Sequence, residues 1–150
     1  MSDSLADLAE RLAERLKSPL PGPMVGSRFE THPRLERHYD SAPPGARQAA
    51  VLVLFYPRQR RWHIPLTERP AHLPDHAGQI SLPGGAIEPG EASYAAAVRE
   101  FHEELGAAGL PIRQIGRLSP IYVHASNFRV EPWIGLTEQR PDWSPNRQEV

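Results

Sequence analysis

From Ile80 to Gly106 the order of residue types points to one local architecture: a short strand, a backbone turn, and a helix stopped by glycine. Residues 80–83 read as a short strand, Gly84-Gly85 as a backbone bend, and Pro89-Gly90 as a second turn. Over residues 92–105 apolar side chains recur at helical spacing, and Gly106 stands where a left-handed C-terminal cap belongs. On a wheel of ~100° per residue, Tyr94, Val98, Phe101 and Leu105 lie within about 60° of one another and are expected to face a core. Glu100, Glu103 and Glu104 gather within about 100° of one another on a separate face. Carboxylates packed that closely repel and weaken a helix, so something must offset them. Taken alone they fit either a solvated acidic face relieved by Arg99 or a set of ligands for a hard cation.

Such a helix needs a sheet to cover its apolar face. The continuous apolar run at residues 49–56 reads as a buried strand. Residues 57–61 are turn-like and 62–67 read as a second strand, which makes the pair a hairpin. Its tip carries Arg58, Arg60 and Arg61, a cluster expected to be a solvated turn. Further strands are expected at residues 115–118 and 129–136, with Pro132 marking the latter as an edge or bulged strand. Near the start, Leu5, Leu8, Leu12 and Leu16 recur at helical spacing with Ser4 as cap and Pro19 as stop. That helix is expected to dock on the fold or to form a homodimer contact. Residues 18–46 are rich in Pro, Gly and polar residues and read as an irregular connection. Residues 1–45 are thus a helix with its connection, and 46–150 the main domain. Residues 141–150 read as a loop leading into a further element, so a C-terminally truncated domain is expected.

At 150 residues the chain suits one domain with its own core. It has no cysteine, which excludes disulfides and thiolate metal sites. A formal net charge of -1 gives no support to broad nucleic-acid or anionic-membrane binding. No apolar run approaches the roughly 20 residues of a membrane helix, and the acidic start does not resemble a secretory signal. A cytoplasmic protein is expected.

The acidic helix changes meaning in its setting. Gly85 is followed after five residues by Glu91, and after seven more by Arg99-Glu100-Phe101-His102-Glu103-Glu104-Leu105-Gly106-Ala107. The fixed identities at this spacing arise by chance on the order of 10⁻⁸ per start point at average residue usage. The pattern resembles the Nudix box, with Ala107 small where a larger aliphatic residue is usual. The resemblance implies an α/β fold, a Nudix-type α/β/α sandwich with a mixed β-sheet. It implies that Glu100, Glu103 and Glu104 hold Mg2+ or Mn2+, that the Gly85 carbonyl completes the coordination, and that Glu91 and Arg99 pair to fix the loop, with Gly106 ending the helix. Hydrolysis of a diphosphate needs its charge neutralised and its attacking water activated, which divalent metals on carboxylates supply. Glu103 is the first candidate general base and Glu149 the second.

Upstream, Leu66, Thr67, Arg69, His76, Gly78, Gln79 and the run Pro83-Gly84-Gly85 resemble the additional motif of the coenzyme A diphosphatase branch, while Pro65, Pro70 and Leu82 depart from it. That implies cleavage of coenzyme A or a derivative to 3',5'-ADP and 4'-phosphopantetheine. Arg69, His76 and Gln79 are candidate substrate contacts, each with a structural alternative: an ion pair, a hydrogen-bonder, a partner for buried backbone. Ser126 and Asn127, beside His124 between two strands, are candidates from the other side of the pocket. Two other readings stay open: hydrolysis of ADP-ribose or another nucleoside diphosphate derivative, and a nucleotide sensor without catalysis.

Overall fold

The computed structural model describes residues 5–22, 42–71 and 78–150. In chain order its elements are α1 (Leu5–Leu16), β1 (Arg47–Arg58), β2 (Arg61–His63), β3 (Thr67–Glu68), β4 (Ile80–Ser81), β5 (Gly84–Ala86), α2 (Ser93–Leu105), β6 (Arg113–Arg117), β7 (Ile121–Val123), a 3-10 turn at His124–Ser126, and β8 (Phe128–Leu136). The proposed Ser4 cap lies outside the described residues.

β1 is the long strand that the apolar run foretells. It pairs in parallel with β8 over nine residues and antiparallel with β2 and β5. The main sheet runs β2-β1-β8-β6, with β5 on β1 and β7 on β8, so it is mixed. β3 and β4 form a separate two-stranded sheet. Ala50, Leu52 and Leu54 alternate inward from β1 and are fully buried against Ala96, Ala97, Phe101 and Leu105 of α2. α1 covers the opposite face. A side chain on Gly116 of β6 would strike Leu16, and Gly116 pairs with Ile134, whose β1 partner Val53 points away from α2. Helix, sheet and helix therefore stack as an α/β/α sandwich.

Four sequence expectations need correction. Pro132 does not mark an edge: β8 is central, between β1 and the β6–β7 flank. Its carbonyl accepts from Leu118 N–H, so the missing N–H faces that same flank, where the ladder changes from β6 to β7. Proline is tolerated there because the break removes the demand for a donor. The bulge lies instead on β6, between Gln114 and Gly116. Gly84-Gly85 is a strand rather than a bend, with Pro83 carrying the bend. The strand expected at 62–67 is divided into β2 and β3 around Pro65, and β7 was not anticipated. The core face of α2 is rotated toward Ala97, leaving Val98 only half-buried. Small alanines allow the helix to approach the sheet more closely than a valine-centred face would.

Candidate active site

The site is built where β5 meets α2. Gly84 and Gly85 pair with Val51 and Ala50, drawing the turn tightly onto β1. A Cβ at Gly84, whose φ is 154°, would overlap the Ala50 carbonyl oxygen and lie 2.6 Å from Val51 Cα. A Cβ at Gly85 would lie 2.5 Å from either carboxylate oxygen of Glu100. The space that glycine leaves is thus taken by the acid, which is the physical reason for glycine at that spacing. Glu104, one turn on, accepts a hydrogen bond from Gly84 N–H at 3.3 Å.

Arg99 organises the other half of the site. Its Nε and Nη2 fork onto Glu91 at 3.0 and 3.1 Å, and Nη2 also reaches the Ala86 carbonyl at 3.1 Å. Nη1 contacts Glu100 at 2.9 Å and Glu103 at 3.0 Å. Glu91 in turn accepts from the Glu88 N–H, and Arg99 with that N–H holds its carboxyl below the ordinary range. The arginine ties the Pro89-Gly90 turn to the helix and the helix to β5. α2 ends at Gly106, φ 67°, whose N–H caps the His102 carbonyl.

Glu104 is the most perturbed acid. Burial is the largest cause pushing its carboxyl up, to about 7; the charges of Glu100 and Glu149 act in the same sense, while the Gly84 N–H and Arg69 oppose them. Glu149 and Arg69 are therefore within electrostatic reach of Glu104, one from after it in the sequence and one from before it. Arg69 arrives on β3's extension, where its N–H donates to the Gln79 carbonyl at 3.0 Å and its carbonyl accepts from Gly78 N–H at 2.9 Å. Gln79 contributes backbone to this loop and its side chain is exposed. His76 lies outside the described residues.

Glu149 is brought in by an ordered strap at residues 141–150. Ser144 N–H donates to the Leu105 carbonyl at 3.0 Å and Asn146 N–H to the Glu104 carbonyl at 2.8 Å, satisfying the last turn of α2. Trp143 packs edge-on against Tyr56 (5.3 Å) and Phe101 (6.1 Å). This strap follows the expected irregular course, but its packing was not foreseen: only Trp143 hinted that the segment carries a hydrophobic anchor. Ser126 and Asn127 lie in the turn between β7 and β8. There Asn127, φ 53°, accepts from Tyr122 hydroxyl at 2.9 Å and from Arg47 N–H at 2.9 Å.

A second charged group was missed altogether. On β8, beside the start of α2, buried Glu131 accepts from Arg129 and, at 3.1 Å, from Arg117. Burial acts to raise its carboxyl, yet the bonds from Arg129, Ser93 and Arg117 hold it below the ordinary range. Its sequence signal was a pair of charged residues, Arg129 and Glu131, in a strand otherwise apolar.

The donor chemistry suits a hard divalent cation. Glu100, Glu103 and Glu104 offer oxygen alone, Glu100 fills the cradle at Gly85, and Glu104 carries a desolvated charge that a cation would offset. Among the described residues no three acidic or imidazole groups converge on one point, with Arg99 drawing Glu100 and Glu103 toward itself. No helix among the described residues is long and apolar enough to cross a membrane.

Residues 46–146 match the NUDIX domain family. The chain is 38% identical over 105 residues to the uncharacterized Nudix hydrolase NudL of Salmonella paratyphi B, covering 69% of this chain and 54% of that protein. It thus spans about half the length of the relatives it matches. Among solved structures it resembles a Nudix hydrolase from M. smegmatis, RenU (TM-score 0.58, 23% identity, 70% of this chain and 67% of that one). It also resembles a C. elegans Ap4A hydrolase (TM-score 0.56, 21% identity, 68% and 74%). The NUDIX domain of Shewanella oneidensis NrtR, solved with ADP ribose, is similar at TM-score 0.51 (18% identity, 77% and 84%). These structural likenesses establish the fold.

Proposed function

The chain belongs to the Nudix family, and from that premise we propose that it hydrolyses the diphosphate bond of coenzyme A or a derivative, releasing 3',5'-ADP and 4'-phosphopantetheine. The carrying observation is the cradle at Gly85 filled by the Glu100 carboxylate, next to Glu104 on the Gly84 N–H. Glu100, Glu103, Glu104 and the Gly85 carbonyl would hold Mg2+ or Mn2+. When bound, the metal neutralises diphosphate oxygens and lowers the pKa of water. This chain's own residues then have distinct tasks. Glu103, the most solvated of the three with a side chain 52% exposed, is the proposed proton acceptor, and Glu149 on the strap is the alternative. Arg69, which acts electrostatically on Glu104, would grip a phosphate oxygen. Glu91 and Arg99 position rather than react. For coenzyme A itself the support is the motif from Leu66 to Gln79, whose ends β3 and β4 bring together.

The second reading is ADP-ribose as substrate, favoured by the ligand of the S. oneidensis domain. The test is turnover of coenzyme A, ADP-ribose and other nucleoside diphosphate derivatives with Mg2+ or Mn2+. Coenzyme A cleavage that is lost in Glu103→Gln is expected. Turnover of ADP-ribose with coenzyme A untouched overturns the first reading. If no diphosphate is cleaved while both proteins bind nucleotide equally, the site is a sensor.

A further inference from the structure

The β1–β2 hairpin breaks several local preferences at the same residues. β1 parts from β8 after the Phe55–Leu136 pair, so residues 56–63 continue as a two-stranded ribbon. Its loop residues Gln59 and Arg60 both lie in the left-handed region, at φ 51° and 60°. That is the backbone of a type I′ turn, which asparagine and glycine adopt easily and long side chains do not. Arg58 and Arg61 close the ribbon directly opposite one another, where like charges destabilise it. Arg58, Arg60 and Arg61 are all exposed, and no carboxylate among the described residues pairs with them. Overall composition does not account for this, since the whole chain has a net charge of -1. Three positive charges are concentrated on an otherwise acidic chain. A turn that forgoes its preferred residues to hold repelling charges is kept for something that offsets both costs.

We propose that this tip docks on the phosphodiester backbone of a nucleic acid. Guanidinium groups fork onto phosphate oxygens, and a two-stranded ribbon has the width to enter a groove. Trp62, half-buried and edge-on to Phe55 at 6.5 Å, pairs with Pro57 and so stands on the ribbon face opposite Arg58 and Arg61; a ribbon seated in a groove would present guanidinium groups to one wall and an indole, on which bases stack, to the other. The ribbon is firmly mounted, because Tyr56 at its base packs on His63 (5.7 Å) and Trp143 (5.3 Å). The tip is also remote from the acidic site: Gly84–Ala86 pairs with residues 49–51, at the other end of β1. A near-neutral chain does not wrap nucleic acid, but a local three-arginine contact does not require an overall basic protein.

The experiment is fluorescence anisotropy with labelled single-stranded and duplex oligonucleotides, titrated with the whole chain at increasing salt. Three phosphate contacts predict a log–log salt slope of about -2 for single strands and about -2.7 for duplex, a loss of roughly 20- to 40-fold between 50 and 200 mM salt. Replacing Arg58, Arg60 and Arg61 together by Gln should cost at least tenfold in affinity at low salt and flatten the slope. The same variant removes the like-charge pair, so it should unfold no earlier than the wild type. Arg60→Gly, which relieves one left-handed residue, should raise Tm and reduce the slope by about 0.7–0.9. Absence of saturable binding by the wild type, or equal binding by the triple variant, overturns the proposal. So does tighter binding to polyglutamate or phosphatidylserine vesicles than to either oligonucleotide.

Discussion

Gly106 and Gly109 share one backbone conformation and differ in their surroundings, which makes them a controlled pair. Their φ angles are 67° and 76°. A Cβ on Gly109 meets nothing within 4 Å, whereas one on Gly106 would overlap the Ser144 carbonyl oxygen and come within 2.8 Å of its carbonyl carbon. Left-handed strain costs an alanine ~1–2 kcal/mol, partly offset by a less disordered unfolded chain. Gly109→Ala should therefore lose about 1 kcal/mol. Gly106→Ala meets the same strain and must also lift the strap. That breaks Ser144 N–H to Leu105 O and Asn146 N–H to Glu104 O, at ~1 kcal/mol each. It also loosens the edge-on contacts of Trp143 with Phe101 and Tyr56, at ~0.5–1.5 kcal/mol each. The expected loss is about 4 kcal/mol, so the two variants should differ by ~3 kcal/mol, on the order of 10 °C in Tm for a domain of this size. Urea unfolding followed by circular dichroism measures the difference, and tryptophan emission reports whether Trp143 has left its site. If the two variants are equally stable within ~1 kcal/mol, the strap does not bear on Gly106 and its delivery of Glu149 to the site is wrong.

Two further outcomes follow from the acidic site. Because the Glu104 carboxyl is raised to about 7, the folded chain holds a proton that the unfolded chain releases near 4.5. Stability in chelator should therefore fall as pH rises from about 4.5 to about 7. The ceiling is ~3 kcal/mol, and about 1–2 kcal/mol is expected once solvent screening of a partly exposed group is included. Glu104→Gln should remove that fall, and a wild type whose stability is flat or rises over this window relative to the variant refutes it. Glu91 and Glu131, held low, act in the opposite sense at more acidic pH, where their stabilisation is lost as pH drops. The adjacent glycines should separate fold from function. Gly85→Ala strikes only the mobile end of Glu100 and should leave Tm nearly unchanged while weakening Mn2+ binding, measured by electron paramagnetic resonance, by about tenfold or more. Gly84→Ala strikes the β1 backbone and should unfold the domain; unchanged Mn2+ affinity in the first variant, or a stable second one, contradicts the cradle.

What the sequence made legible was whatever is fixed by neighbours along the chain. The helical period of residues 92–105, the left-handed cap at Gly106 and the apolar run of β1 are local signals, and each is present in the fold. The errors fall where a distant segment decides. Pro132 forbids a ladder bond on one side, but only the β6–β7 break, formed by residues 113–123, shows that this side needs none. The face of α2 turned toward Ala97 rather than Val98 because β1 sets the depth of approach, and a wheel cannot register depth. Residues 84–86 became a strand because Ala49–Val51 lies alongside. The site divides in the same way. Glu100, Glu103 and Glu104 are visible as a helix face, since spacing alone gathers them. The field on Glu104 comes partly from Glu149, 45 residues after it, which raises the carboxyl, and from Arg69, 35 residues before it, which opposes that rise. No local pattern could have joined those three. The acidic face of the proposed site is thus encoded within one helix, and the electrostatic setting of that face in the strap and the β3 loop. If the proposed hydrolysis holds, substitutions in α2 should abolish it outright, whereas substitutions in the strap or loop should shift its pH dependence and its choice among diphosphate substrates.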